Sequence, residues 1–239
     1  MTKNRDRLCV ALDGSDRDWI VETAGLLGGH VGWLKLGLEA FTAFGPSLVH
    51  EVAAAHPKVF LDLKLHDIPT TVRRAAANCA VSGAAMFNVH ASGGRAMMEA
   101  AAEGASGAVH GEAPVVLAVT ILTSLDREAL AELGLVDQPR DLLVRWALLA
   151  KSAGLDGVVA SAREAAVVRE ACGTDFLVVT PGIRPAWSVD DDQRRVTTPS
   201  EAVAAGADIL VIGRPITASG DPVRAAQRVL DELESPRNG

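Results

Sequence analysis

The stretch VFLDLKLHDIPTT, Val59 to Thr71, decides how the chain folds. It begins as a strand, and on a strand residues two apart share a face. Asp62 and Lys64 therefore project together, while Leu61 and Leu63 project to the other side. Charges on a strand that is otherwise apolar are costly to bury, so this face must line something other than a dry core. Asp67 falls in the loop that follows.

The rest of the chain repeats the pattern. Short apolar runs recur at CVALD (9–13), WLKLG (33–37), VFLDLK (59–64), MFNVHA (86–91), VVLAVTIL (115–122), GVVAS (157–161), FLVVTPG (176–182) and ILVIGR (209–214). Between them lie alanine-rich segments such as TTVRRAAANCAVSGA and SAREAAVVREACG, with apolar residues at helical spacing and a glycine near the end. Eight strands alternating with helices over 239 residues fit an α/β fold, a single-domain (β/α)8 TIM barrel, better than a doubly wound sheet. No linker or composition break divides the chain, so one domain is expected over residues 1–239, with a polar tail, DELESPRNG, that frays.

Composition narrows the setting. Hydrophobic residues make up 49% and charged residues 22%, as in an ordinary globular protein. A net charge of -7 opposes nucleic acid and anionic membranes, so any local basic patch is expected to bind something small. No run of about eighteen apolar residues is present, so no membrane span is expected. The start, MTKNRDRLCVALDGSD, lacks the apolar run of a signal peptide. Cys9, Cys79 and Cys172 have no metal-ligand spacing, and a reduced, cytoplasmic protein is the expectation.

In a barrel the face shared by Asp62 and Lys64 is the interior, and the end of this strand lies at the carboxyl mouth, where such folds keep their sites. The same mouth gathers Asp13 at the end of the first strand, Lys35 in the second, His90 at the end of the fourth and Thr123 after the fifth. A single Asp-Lys pair reads more readily as a structural ion pair, but charges converging from several strands favour a site. TPGIRP (180–185) and IGRPI (212–216) follow the last two strands, where barrels often bind phosphate through glycine backbone and a two-pronged arginine. Taken alone, the second is also a turn with a solvated arginine. AWSVDDDQRRVTTP (186–199) has the length and polarity of a lid, or of a solvated loop. His66, His90, Asp62 and Asp67 could be assembled into a divalent-metal site, yet a lysine among them competes for the same carboxylates, so no metal is expected. No cofactor motif is visible.

DLKLHDIP, taken with VALD, LKLG, PGIR, DDQ and IGRPI, resembles the orotidine 5'-phosphate decarboxylase family from about Val10 to Ile216. No key position departs from the family pattern. The resemblance implies cofactor-free decarboxylation of orotidine 5'-phosphate to UMP and CO2, the last step of de novo UMP synthesis, by a homodimer with shared active sites. Lys35, Asp62, Lys64 and Asp67 would form the charged array, with Lys64 as proton donor and Asp67 supplied by the partner subunit. Asp13 and Lys35 would hold the ribose hydroxyls, and Asp62 would lie near the substrate carboxylate. Ile68 and Thr71 would reach across the dimer, Thr123 would meet the pyrimidine edge, and Pro181 would line the base pocket. Arg184, Gln193, Gly213 and Arg214 would close over or hold the phosphate, and His90 would stand behind the array.

Two other readings stay open on the residues. One is a magnesium-dependent sugar-phosphate decarboxylase or synthase of the same superfamily, which shares an Asp-x-Lys-x-x-Asp core. The other is a non-catalytic nucleotide-binding barrel whose charges only recognise ligand.

Overall fold

Eight parallel strands pair in chain order, and the last returns to the first, closing a barrel. They are β1 Leu8–Ala11, β2 Trp33–Gly37, β3 Val59–Leu65, β4 Met86–His90, β5 Val115–Val119, β6 Gly157–Val159, β7 Leu177–Thr180 and β8 Ile209–Ile212. The computed structural model describes residues 2–56, 58–107, 112–135, 138–188 and 197–234. The expected (β/α)8 barrel is the fold observed, and each apolar run identified in the sequence supplies one strand.

Alternation along the strands makes two cores. Cys9, Ala11, Phe60, Met86, Leu117, Val179, Ile209 and Val211 fill the barrel interior. Leu8, Val10, Leu61, Phe87, Val116, Val178, Leu210 and Ile212 point outward into a larger core under the helices. Leu63 also packs on that outer layer, as its spacing from Leu61 requires.

The helices dock by one apolar stripe each. Helix Pro69–Val81 buries Val72, Ala76, Cys79 and Ala80, which repeat at helical spacing, and begins on a proline whose fixed φ suits a first turn. Helix Ala162–Cys172 starts with a capping box between Ser161 and Glu164 and stops at Gly173, whose φ of 79° suits glycine. Helices Pro69–Val81 and Gly94–Ser106 approach closely at Gly104, where a Cβ would run into the backbone of Arg73. Among the described residues no helix is long and apolar enough to cross a membrane.

Several strands are shorter than the apolar runs suggest. The run 115–122 forms a strand only over Val115–Val119, and Ile121 and Leu122 instead line a cavity beyond its end. Asp13 likewise stands two residues past the end of β1 rather than closing it.

Candidate active site

Two connected cavities open at the carboxyl ends of the strands. One, of about 460 Å³, is lined by Asp13, Lys35, Asp62 and Lys64 on one side and by Pro181, Arg184, Gly213 and Arg214 on the other. The second, of about 200 Å³, shares Lys35, Asp62, Lys64 and Pro181 and continues to Val119, Ile121, Leu122 and Thr123. The first is charged and the second mostly apolar, a combination that suits a ligand with an anionic end and a flat ring.

Asp62 is the centre of the charged wall. Its Oδ1 accepts from Lys64 Nζ at 2.6 Å and from Asn88 Nδ2 at 2.7 Å. Its Oδ2 lies 3.6 Å from Lys35 Nζ, which in turn donates to Asp13 Oδ1 at 2.8 Å. Acid and base therefore alternate through Asp13, Lys35, Asp62 and Lys64.

This order sets the charge states of Asp62 and Lys35. Burial alone would raise the carboxyl of Asp62, but Lys35, Lys64 and two hydrogen bonds outweigh it and hold it below the ordinary carboxylate value. Burial alone would lower the ammonium of Lys35, but Asp62 and Asp13 outweigh it and hold it above its ordinary value. His90, at the end of β4, is driven the other way: burial, His66 and Lys64 depress it, against an opposing pull from Asp62. Its ring stands 5.5 Å from that of His66.

Backbone geometry makes room for the pair of Asp13 and Lys35. A Cβ on Gly37 would lie 2.9 Å from Asp13 Oδ1 and 3.1 Å from Lys35 Nζ, so glycine at the end of β2 is what lets the two meet. On the opposite wall, the loop carrying Arg184 is tied at its base. Ile183 bridges Thr197, and the Arg184 backbone N–H donates to the Thr197 carbonyl at 3.1 Å. Beyond it the Arg228 guanidinium stacks 4.1 Å from the ring of Trp187.

Of the residues singled out in the sequence, the cavities bring together Asp13, Lys35, Asp62, Lys64, Thr123, Pro181, Arg184, Gly213 and Arg214. Asp67, Ile68 and Thr71 line neither. They belong to an exposed run after β3, where Asp67 Oδ1 accepts from the Ile68 backbone N–H and Ile68 is 67% exposed. Gln193 lies outside the described residues, as does most of the stretch 186–199. Among the described residues no three His, Cys, Asp or Glu side chains are grouped to hold a metal ion, and the oxygens of Asp62 face amide and ammonium donors instead.

Sequence reasoning passed over Gly37 and Asn88. Gly37 carried no signal beyond closing the run WLKLG. Asn88 did carry one, because it holds an interior position between Met86 and His90 on β4, where an apolar residue would cost less.

The model of the orotidine 5'-phosphate decarboxylase / HUMPS family matches residues 6–229. A protein of Moorella thermoacetica named orotidine 5'-phosphate decarboxylase is 52% identical over 234 residues, covering 96% of this chain and 93% of that one. One of the same name from Syntrophotalea carbinolica is 50% identical over 241 residues, covering 98% and 97%. The crystal structure of orotidine 5'-phosphate decarboxylase from Lactobacillus acidophilus superposes with a TM-score of 0.85 at 35% identity, covering 95% of this chain and 98% of that one.

Proposed function

The chain belongs to the orotidine 5'-phosphate decarboxylase / HUMPS family and is a decarboxylase, and from that premise we propose that it converts orotidine 5'-phosphate to UMP and CO2 without a cofactor. The observation that carries the reading is the Lys64 ammonium held 2.6 Å from the largely buried Asp62 carboxylate, where a charged cavity of about 460 Å³ meets a mostly apolar one of about 200 Å³.

The chemistry follows from the array. When the bond from carbon 6 to the carboxylate breaks, its electron pair stays at carbon 6 in the plane of the ring, where the ring π system cannot accept it effectively. A fixed cation beside that carbon is then the available stabiliser. Lys64 is that cation, aimed by Asp62 so that little reorganisation is needed as charge develops. It passes a proton to carbon 6 as CO2 leaves, and water returns a proton to its amine. Asp62 near the substrate carboxylate adds like-charge repulsion that is relieved as the carboxylate departs.

Remote contacts supply the binding. Arg184, Gln193, Gly213 and Arg214 hold the phosphate, Asp13 and Lys35 the ribose hydroxyls, and Thr123 and Pro181 the base. Their binding free energy is realised far from carbon 6, yet it lowers the barrier there by holding the reacting carbon against Lys64. Asp67, Ile68 and Thr71 complete the site of a second copy in a two-fold dimer. The exposure of all three on one run, clear of their own cavity, supports that assignment.

The test is direct. Protein treated exhaustively with EDTA is mixed with orotidine 5'-phosphate, and orotate-ring absorbance and released CO2 are followed. Loss of absorbance matched by CO2 supports the proposal. Binding without CO2 release would mean a nucleotide-binding barrel, and activity that returns only with magnesium would mean the metal-dependent relative.

A further inference from the structure

Asn88 sits where β3 departs from regular geometry. Leu61 pairs with Phe87 and Leu65 with Val89, so four steps along β3 meet two along β4. Within that bulge Lys64 has a φ of 53°, the only positive value outside glycine among the described residues. A residue with a side chain is held there only when its surroundings impose it.

Asn88 imposes it from β4. Its side chain is fully buried, and both ends are used: Oδ1 accepts the Lys64 backbone N–H at 2.7 Å, and Nδ2 donates to Asp62 Oδ1 at 2.7 Å. The orientation of the carboxamide is forced. A backbone N–H can only donate, so the oxygen must face Lys64, and the NH2 is left facing Asp62.

We infer that Asn88 is a positioning residue for decarboxylation: one carboxamide holds Lys64 in its left-handed backbone conformation and turns the Asp62 carboxylate to meet the Lys64 ammonium. The inference rests on the proposal that Lys64 and Asp62 do the chemistry. A residue of similar size without both hydrogen-bonding ends would fill the space but leave the bulge and the carboxylate unguided.

Asn88→Asp separates positioning from packing because it keeps the shape. As a neutral acid, the new side chain accepts from Lys64 N–H and donates to Asp62, as the amide does. As a carboxylate, it sets two negative groups at hydrogen-bond distance and turns Asp62 away. Burial and the neighbouring Asp62 both favour its neutral form. The other titratable groups around this point are Lys64 on β3, Lys35 on β2, His90 at the end of β4, His66 after β3 and the Cys9 thiol of β1, which burial pushes up, while Leu117 of β5, which pairs with Asn88, carries no charge. Taking the ratio of wild type to variant at each pH removes most of their own titration.

With orotidine 5'-phosphate as substrate, the kcat ratio of wild type to Asn88→Asp is expected to rise at least about 10-fold between pH 5 and pH 9. Asn88→Ala, which removes both contacts and adds no charge, is expected to lose about 100-fold in kcat while its affinity for UMP stays within about threefold. If Asn88→Asp does not fold, Asn88→Ala decides alone. A flat ratio, or an Asn88→Ala variant with wild-type kcat, would overturn the role of Asn88 while leaving the proposed activity standing. A wild-type protein that releases no CO2 would overturn both.

Discussion

Lys35 reaches Asp62 from the neighbouring strand, with its Nζ 3.6 Å from Oδ2 in a position where both side chains are largely buried. Removing one partner leaves the other charge under-compensated, which is the costly way to break a buried pair. Lys35→Met is therefore expected to lose about 1–3 kcal/mol of stability at neutral pH, less than a sealed pair would lose because the cavity admits water. The pH dependence has a definite sign. The depressed carboxyl of Asp62 stabilises the fold above its ordinary pKa, and that contribution is lost as pH falls through the lower folded value. Without Lys35 the folded value rises, so the acid limb of stability moves to higher pH. The raised ammonium of Lys35 stabilises below its ordinary pKa, and that contribution is lost as pH rises through the folded value. The variant lacks this alkaline loss. Urea midpoints from pH 3 to 11 check both limbs, and superimposable curves would contradict the coupling.

Arg214 lines the same charged cavity as Lys64, at the start of the short helix Arg214–Thr217. Arg214→Ala is expected to cut kcat/KM for orotidine 5'-phosphate by about 10- to 100-fold, the usual worth of a charge-assisted contact. The slow turnover of unphosphorylated orotidine should stay within about twofold, since that substrate never makes the contact. Equal losses on both substrates would place Arg214 elsewhere in the mechanism.

Asp67 tests the shared site. In a two-fold dimer where each site draws Lys64 from one chain and Asp67 from the other, Lys64→Ala and Asp67→Asn homodimers are both nearly inactive. In a mixed dimer one site carries both changes and the other carries neither. After random exchange of equal amounts, half the dimers are mixed and half of their sites work, so activity should recover to about a quarter of wild type. Exchange is confirmed with differently tagged chains. No recovery after confirmed exchange would mean that Asp67 serves its own chain or that the dimer is not the working unit.

The barrel was legible because its signals are local. Alternation put Leu61 and Leu63 on the outer layer and Asp62 and Lys64 on the inner face, and both pairs lie there. Strand ends were less legible because Ile121 and Leu122 are as apolar as the strand before them, and periodicity does not distinguish a sheet from a cavity wall. The bulge at Lys64 was hidden for a different reason. It depends on a carboxamide that reaches it from β4, 24 positions along the chain, and a regular strand is what the local pattern of β3 specifies. Gly37 was hidden likewise, since its need for no side chain comes from a contact between Asp13 and Lys35.

The central claim is that the Lys64 ammonium, held by Asp62, stabilises and then protonates carbon 6. Turnover of orotidine 5'-phosphate by Lys64→Ala, measured beside its affinity for UMP, tests it most directly. Removing a group that acts as both electrostatic stabiliser and acid should lower kcat by about 1000-fold or more, with UMP affinity changed by less than about tenfold. A variant that keeps most of the wild-type turnover would contradict the account.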